Sequence, residues 1–410
     1  MVQVRPFRAI RPKSNLASQI AELPYDVIDT NEARNLAKDN PYSYFHIDRS
    51  EIAFDDQMNP YAKEVYQKAN EVLQQFLAEG WFVKEDKPCF YLYELTMAGR
   101  TQTGIAANTA IEDYVNDLIK KHEFTRPAKE EDRMNHIRYC DANTSPIFLS
   151  YREPEAMQQI VQAWKVQHAP IYDFEKYHQV HHRLWVIDDL AVIEQITAIF
   201  EQVNALYIAD GHHRAASAVK VGLEKRENQT ASAESEYFLS IIFPENELHI
   251  LEYNRVINIV PPADFFQRLA EYFTVTPTTQ IKAQQKGEFK LYYNQQWYTL
   301  TFNEALRPND AVNGLDVAVL QKYVIEGIFG ITDVRVDSRI DFVGGIRGSE
   351  ELVRLVDSQK WQVAIAMYPT SMHDLLAVAD AKQIMPPKST WFEPKLLSGL
   401  LIHDLETRSK

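Results

Sequence analysis

The sequence predicts a mixed α+β (α/β) protein, and three observations carry that expectation. Strand-like apolar runs alternate with segments of helical periodicity, without one repeating unit. The chain is 410 residues long, beyond the ~250–300 residues at which single cores stop growing, so more than one domain is expected. Its composition, 45% hydrophobic and 24% charged, is that of an ordinary globular protein and excludes a collagen-like, mucin-like or wholly disordered chain.

Each element follows from local pattern. Pro6, Pro12, Pro24 and Pro41 predict an extended, loop-like first forty residues, with a strand-like run before His46, Asp48 and Arg49. Over 60–79 the apolar residues Val65, Val72, Leu73, Phe76 and Leu77 recur at helical spacing, and Gly80 closes that helix. Residues 89–95 and 102–107 read as two strands around Ala98-Gly99-Arg100. The charged stretch 111–138 is mostly helix-compatible, with a break at Pro127, and Asn143-Thr144-Ser145-Pro146 is a turn before a strand at 147–151. Further strands are expected at 183–187, 205–209, 237–243 and 290–293, and helices at 154–167, 190–202, 212–227 and 317–329. Pro261-Pro262 suggests a boundary, and Ser371 with Asp374 forms a capping-box start for a late helix. The division expected is 1–110, an N-terminal α+β extension; 111–260, a ligand-binding core; and 261–410, a C-terminal α/β region.

Forty-three Lys plus Arg stand against 57 Asp plus Glu, a net charge of −14. Such a surface repels phosphate backbones, so no nucleic-acid partner is expected. Cys89 and Cys140 form neither a disulfide framework nor a zinc module and fit a reducing compartment. No apolar run follows the basic N-terminus and none is long enough to span a bilayer, so a cytoplasmic protein without a membrane partner is expected. The sequence does not read out an oligomeric state.

The sharpest motif is 205–216, where an apolar strand ends at Asp210, Gly211 turns the chain, and a helix opens with His212, His213 and Arg214. A helix start is attractive to anions, and cations placed there oppose the macrodipole, so two imidazoles and a guanidinium point to a bound phosphate. The alternative is an Asp210–Arg214 pair that closes the turn. A second motif, His122-Glu123-Phe124-Thr125-Arg126, lacks the second His of a zinc-protease helix and on spacing alone reads as a solvated charged face. A third, Pro387-Lys388-Ser389-Thr390, offers a cation and two hydroxyls without the glycines of a Walker loop. The His-rich run Tyr177 to His182 reads as a polar lead-in to a strand. Gly344-Gly345-Ile346-Arg347-Gly348 reads as a loop without a preceding strand.

At Asp210-Gly211-His212-His213-Arg214 the chain resembles the ParB/sulfiredoxin superfamily. His122-Glu123 and Pro387-Lys388-Ser389-Thr390 resemble segments of its free serine kinase branch. The whole chain is also similar to the bacterial domain of unknown function 1015 family. The shared signposts include Arg5-Pro6-Phe7-Arg8-Ala9, Pro24-Tyr25-Asp26-Val27, Asn40-Pro41, His46-Ile47-Asp48-Arg49, Asp132-Arg133, Ala142 to Pro146 and Met385 to Thr390. The chain departs from the kinase pattern in its extra N-terminal hundred residues and in Ala215, where the kinases carry an aromatic.

What the resemblance implies is a ParB/sulfiredoxin-like core and a small-molecule phosphotransferase. The acceptor would be free L-serine and the donor ATP or ADP, or the reaction would run in reverse as phosphoserine dephosphorylation. It implies Glu123 as catalytic carboxylate with His122 and Asp210 beside it, and Mg²⁺ at Asp210. Gly211, His212, His213, Arg214, Lys388, Ser389 and Thr390 would hold the nucleotide, and Arg126 and Trp185 the substrate. The competing implication is a non-catalytic nucleotide-binding switch of the ParB type.

Overall fold

The computed structural model describes residues 1–406, and they form two compact units. The first is Met1–Leu248 with the returning segment from Pro394, and the second is His249–Glu393. The first unit holds a nine-stranded mixed sheet: β1 (Val4–Arg5), β2 (Phe90–Met97), β3 (Arg100–Ala110), β4 (Ile119–Lys120), β5 (Ile147–Tyr151), β6 (Tyr172–Lys176), β7 (Val180–Ile187), β8 (Leu206–Asp210) and β9 (Tyr237–Pro244). Their order is β4-β8-β5-β9-β3-β2-β7-β6, with β1 paired to β3. The β4–β8 and β5–β9 pairs are parallel and the others antiparallel. The sequence-based boundary after residue 110 falls at the end of β3, which lies between β9 and β2 in this sheet.

Besides a single turn at Ala17–Ile20, the α-helices of this unit are α1 (Thr30–Ala37), α2 (Phe45–Asp48), α3 (Lys63–Ala78), α4 (Ile111–Val115), α5 (Pro127–Cys140), α6 (Glu155–Gln167), α7 (Leu190–Phe200) and α8 (His212–Glu227). The periodic residues Val72, Leu73 and Phe76 of α3 are buried against Ile10, Ile47, Phe82 and Ile402, each such side chain contributing about 1.5–3 kcal/mol, and Val65 is buried too. Its end is a Schellman motif: Gly80, at φ 64°, donates to the Leu77 carbonyl and Trp81 to that of Phe76. The β2–β3 hairpin turns through Ala98 and Gly99, both at positive φ (50° and 78°), the geometry that matches the strand twist. α8 presents Ala215, Ala218 and Val219 to a core shared with Ile105, Leu149 and Ile208. Gly222 lets it approach closely, since a Cβ there would lie 2.8 Å from both the Ile111 side chain and the Ser235 carbonyl.

Several expectations need correction. The proline-broken opening still contains α1, because Asp29 and Glu32 form a reciprocal capping box that nucleates it between prolines. Residues 45–48 are one helical turn, α2, and do not follow a strand. The stretch 111–138 is not one interrupted helix: α4 gives way to the short strand β4, then to a loop at 121–126, and α5 restarts with Pro127 at its first turn.

The second unit holds a six-stranded antiparallel sheet of β10 (Tyr253–Ile257), β11 (Phe273–Thr278), β12 (Glu288–Tyr293), β13 (Gln296–Phe302), β14 (Ile340–Gly344) and β15 (Val363–Ala366). The order is β11-β13-β12-β15-β10-β14. The helix expected at 317–329 is α9 (Asp316–Leu320) continued as a π-helical turn at Gln321–Glu326. A strand, β14, does precede the Gly344–Gly348 run. The helix that follows, α10 (Ser349–Asp357), carries Glu350 and Glu351 in its first turn, which repels phosphate. α11 (Met372–Asp380) starts at the predicted Ser371–Asp374 capping box. No described helix is long and apolar enough to cross a membrane.

Candidate functional site

The strand-turn-helix at β8–α8 has the geometry its sequence encodes, with one local irregularity. The β8–β5 register shifts between Ile208, opposite Leu149, and Asp210, opposite Phe148, a bulge that re-aims the strand end. The Asp210 Oδ1 atom there accepts the Gly211 N–H (2.8 Å) and Oδ2 accepts from Lys395 Nζ (3.1 Å). Burial pushes that carboxyl up, but Lys395 and Arg214 hold it well below the usual carboxylate range. Gly211 adopts φ 93°, and a Cβ there would meet Arg214 Nε at 3.0 Å. The glycine therefore serves both the left-handed turn and the guanidinium folded against it. The first intrahelical bond runs from Ala215 N–H to the Gly211 carbonyl. Consequently the N–H groups of His212, His213 and Arg214 lie ahead of any carbonyl of their own helix.

The two histidines are not the cationic cradle expected. His212 Nε2 accepts the backbone N–H of His122 (3.4 Å), and His213 Nε2 accepts that of Arg126 (2.9 Å). A ring nitrogen that accepts carries no proton, so both imidazoles are neutral with Nδ1 as the protonated position. Burial agrees: it is the largest influence on each and lowers both below the ordinary histidine value. Their work is positional. They fasten the two ends of the 121–126 loop to the α8 N-terminus, and Glu123 lies between those ends.

Glu123 is half-exposed, with Oε2 4.0 Å from His212 Nδ1. His122 is turned inward, 2% exposed, its ring edge-on to His212 at 4.5 Å. Burial lowers it to about 4, against the opposing influence of Asp210 and the Ile208 backbone. Neither of its ring nitrogens makes a complete hydrogen bond. His122 is thus a packing neighbour of His212, while Glu123 is the half-exposed member of the pair.

Arg214 is buried, 7% exposed. It donates through Nη1 to the Pro146 carbonyl, its Nη2 stands 3.9 Å from Asp210 Oδ1, and its Nε has no hydrogen-bond partner. Next to it is a partly open pocket whose lining includes Tyr25, Asp48, Arg133, Thr144, Ser145 and Arg214. The N-terminal region therefore contributes to the site. Asp26, exposed, acts electrostatically on both His213 and Arg214.

Other expected residues are placed elsewhere or differently. Arg126 caps α5 and its side chain is exposed. Trp185 does not wall the cavity: it is a core residue on β7, its indole N–H donating to the His168 carbonyl at 3.0 Å. Asp210, the residue expected at Mg²⁺, accepts from an N–H with one oxygen and from an ammonium with the other. Among the described residues no group of three or more His, Cys, Asp or Glu could hold a metal ion. Lys388, Ser389 and Thr390 belong to the second unit. There Lys388 is left-handed at φ 59°, its carbonyl accepts from Arg255 Nη2 (3.0 Å), and Ser389 Oγ donates to the Pro386 carbonyl (2.6 Å). Sequence reasoning missed Lys395 altogether. It read Tyr25, Asp48 and Arg133 as family signposts.

A family model described as "Protein of unknown function (DUF1015)" matches residues 4–318. No curated protein matches the chain. Among solved structures, similarity is found to a free serine kinase in complex with AMP (13% identity, 72% of this chain and 92% of that one, TM-score 0.37). It is also found to SbnI with C-terminal truncation from Staphylococcus aureus (12%, 74% and 90%, TM-score 0.40) and to a conserved hypothetical protein from Pyrococcus furiosus (13%, 74% and 96%, TM-score 0.36).

Proposed function

The chain belongs to that family of proteins of unknown function, and from its site geometry we propose that it is a small-molecule phosphotransferase. The reading we favour is transfer from ATP or ADP to the hydroxyl of free L-serine, or the reverse. The observation that carries it is the fastening of the Glu123 loop, through His212 and His213, to a helix N-terminus whose first N–H groups have no partner in their own helix. Phosphoryl transfer asks a protein chiefly for positioning and charge neutralisation. The N–H groups of His212, His213 and Arg214, with the Arg214 guanidinium, supply donors for phosphate oxygens. Glu123 takes the proton of the acceptor hydroxyl as its oxygen bonds to the transferred phosphorus and the nucleotide leaves. His212 Nδ1 lies 4.0 Å from Oε2 of that carboxylate. Asp210 fixes the turn through Gly211 and Lys395 and takes no part in the proton transfer. Any Mg²⁺ arrives with the nucleotide as substrate. Lys388, Ser389 and Thr390 are proposed as phosphate donors on the chemistry of their own loop.

The test is transfer from labelled ATP or ADP, with Mg²⁺ and L-serine, in wild type and Glu123→Gln. The proposal expects labelled phosphoserine from wild type only, with ADP affinity unchanged by the substitution. Nucleotide binding without transfer would instead favour a non-catalytic switch. Equal transfer by both proteins would remove Glu123 from the mechanism.

A further inference from the structure

The cavity beside Arg214 contains one satisfied guanidinium and one that is not. Arg133 is ion-paired through all three nitrogens: Nε and Nη2 reach Asp132 Oδ2 at 3.0 and 2.9 Å, Nη1 reaches Asp48 at 3.4 Å, and the group lies 3.9 Å over the Tyr25 ring. Arg214 makes one hydrogen bond, to a carbonyl, and its carboxylate neighbour stands beyond hydrogen-bond range because Asp210 is engaged by Lys395. In the lining of the same cavity, Ser145 Oγ is 2.9 Å from both Asp48 Oδ2 and Ser398 Oγ. Arg214 therefore offers an N–H donor without an acceptor, and Ser145 with Asp48 offers a hydroxyl and a carboxylate that accept hydrogen bonds. Two residues of these walls, Tyr25 and Asp48, come from the N-terminal hundred residues.

We propose that Tyr25, Asp48 and Ser145 form the acceptor-selecting end of the site, and that the cavity takes a compact molecule with a carboxylate for Arg214 and a hydroxyl or ammonium donor for the Ser145–Asp48 wall. The proposal rests on the transfer reading above, which it deepens by assigning the acceptor to this cavity and its choice to the N-terminal segment. A neutral alcohol brings no charged acceptor to the Arg214 guanidinium, and an inorganic anion brings Asp48 a like charge and no further donor. A dipolar or hydroxy-acid molecule satisfies both.

The experiment uses the full chain and three probes: L-serine, glycerate and ethanolamine, the last lacking a carboxylate. Calorimetry is expected to show the two acids binding at least ten-fold more tightly than ethanolamine. Tyr25→Phe and Ser145→Ala, chosen because they leave the Asp48–Arg133 pair in place, are each expected to weaken acid binding about ten-fold, with unchanged melting temperature and ADP affinity. Where transfer is measurable, the same variants raise the acceptor KM and not the nucleotide KM. Direct binding without transfer would sustain the cavity assignment while removing the phosphotransferase reading. Failure of both acids to bind wild type, ethanolamine binding equally well, or loss of ADP and acid affinity together in the variants would overturn the cavity assignment.

Discussion

Two helix N-termini in this molecule are built on opposite principles. At α11, Ser371 Oγ accepts the Asp374 N–H at 3.0 Å, and the Asp374 carboxylate accepts the Ser371 N–H at 3.4 Å and its hydroxyl at 2.8 Å. The helix closes its own donors, with a carboxylate at the positive end of the dipole. At α8 the capping residue is Gly211, with no side chain to accept anything, and His212, His213 and Arg214 follow. The imidazoles turn their accepting nitrogens to another segment and leave the α8 donors open. A capped end contributes stability, whereas an uncapped end whose flanking side chains hold a carboxylate loop in place is arranged for a ligand.

That contrast can be broken from its largest effect downward. Glu123→Gln should lower phosphoryl transfer by about 10²–10⁴-fold, read in the labelled-nucleotide assay, while ADP still binds. Acid should act at the α8 end through its buried histidines. The folded value of His122 is about 4 against the ordinary 6.5. Above pH 6.5 folded and unfolded chains are alike in charge there; below it the unfolded chain takes the proton and the folded one does not. Stability should therefore fall as pH drops from 6.5 towards 4, by on the order of 3 kcal/mol from this group, and denaturant melts across that range check it. Arg214→Ala should weaken ADP by about 1–3 kcal/mol, measured calorimetrically. Smallest, and in the other unit, Ser371→Ala should cost about 1 kcal/mol of stability while leaving ADP affinity unchanged. An ADP affinity that followed the α11 cap rather than the α8 turn would undo the distinction.

What sequence could read divides along the same line. Local chemistry was legible: Gly80 ending α3, Ala98-Gly99 turning the hairpin, Ser371 with Asp374 starting α11, and α8 with its full bounds of 212–227. The α1 capping box was equally local, but surrounding prolines outweighed it in the reading. Long-range pairing was not legible. Lys395 reaches Asp210 across 185 residues, and Asp48 reaches Arg133 across 85, separations that no periodicity encodes. The roles of His212 and His213 were misread because composition counts an imidazole as a potential cation. Only the backbone N–H groups of His122 and Arg126 reveal it as an acceptor. The 121–126 loop hid its role for a related reason, since Lys120, Lys121, Lys129 and Glu131 around it look like any solvated face.

Backbone hydrogen exchange, resolved to short peptides with and without saturating ADP, tests the central claim most directly. Exchange at the amides of His212, His213 and Arg214 should slow when the nucleotide is added, while the amides at 372–374 behind the α11 cap keep their rate. Unchanged exchange at 212–214 in protein shown to have ADP bound would contradict the account, because the phosphates would then be held somewhere other than the open end of α8.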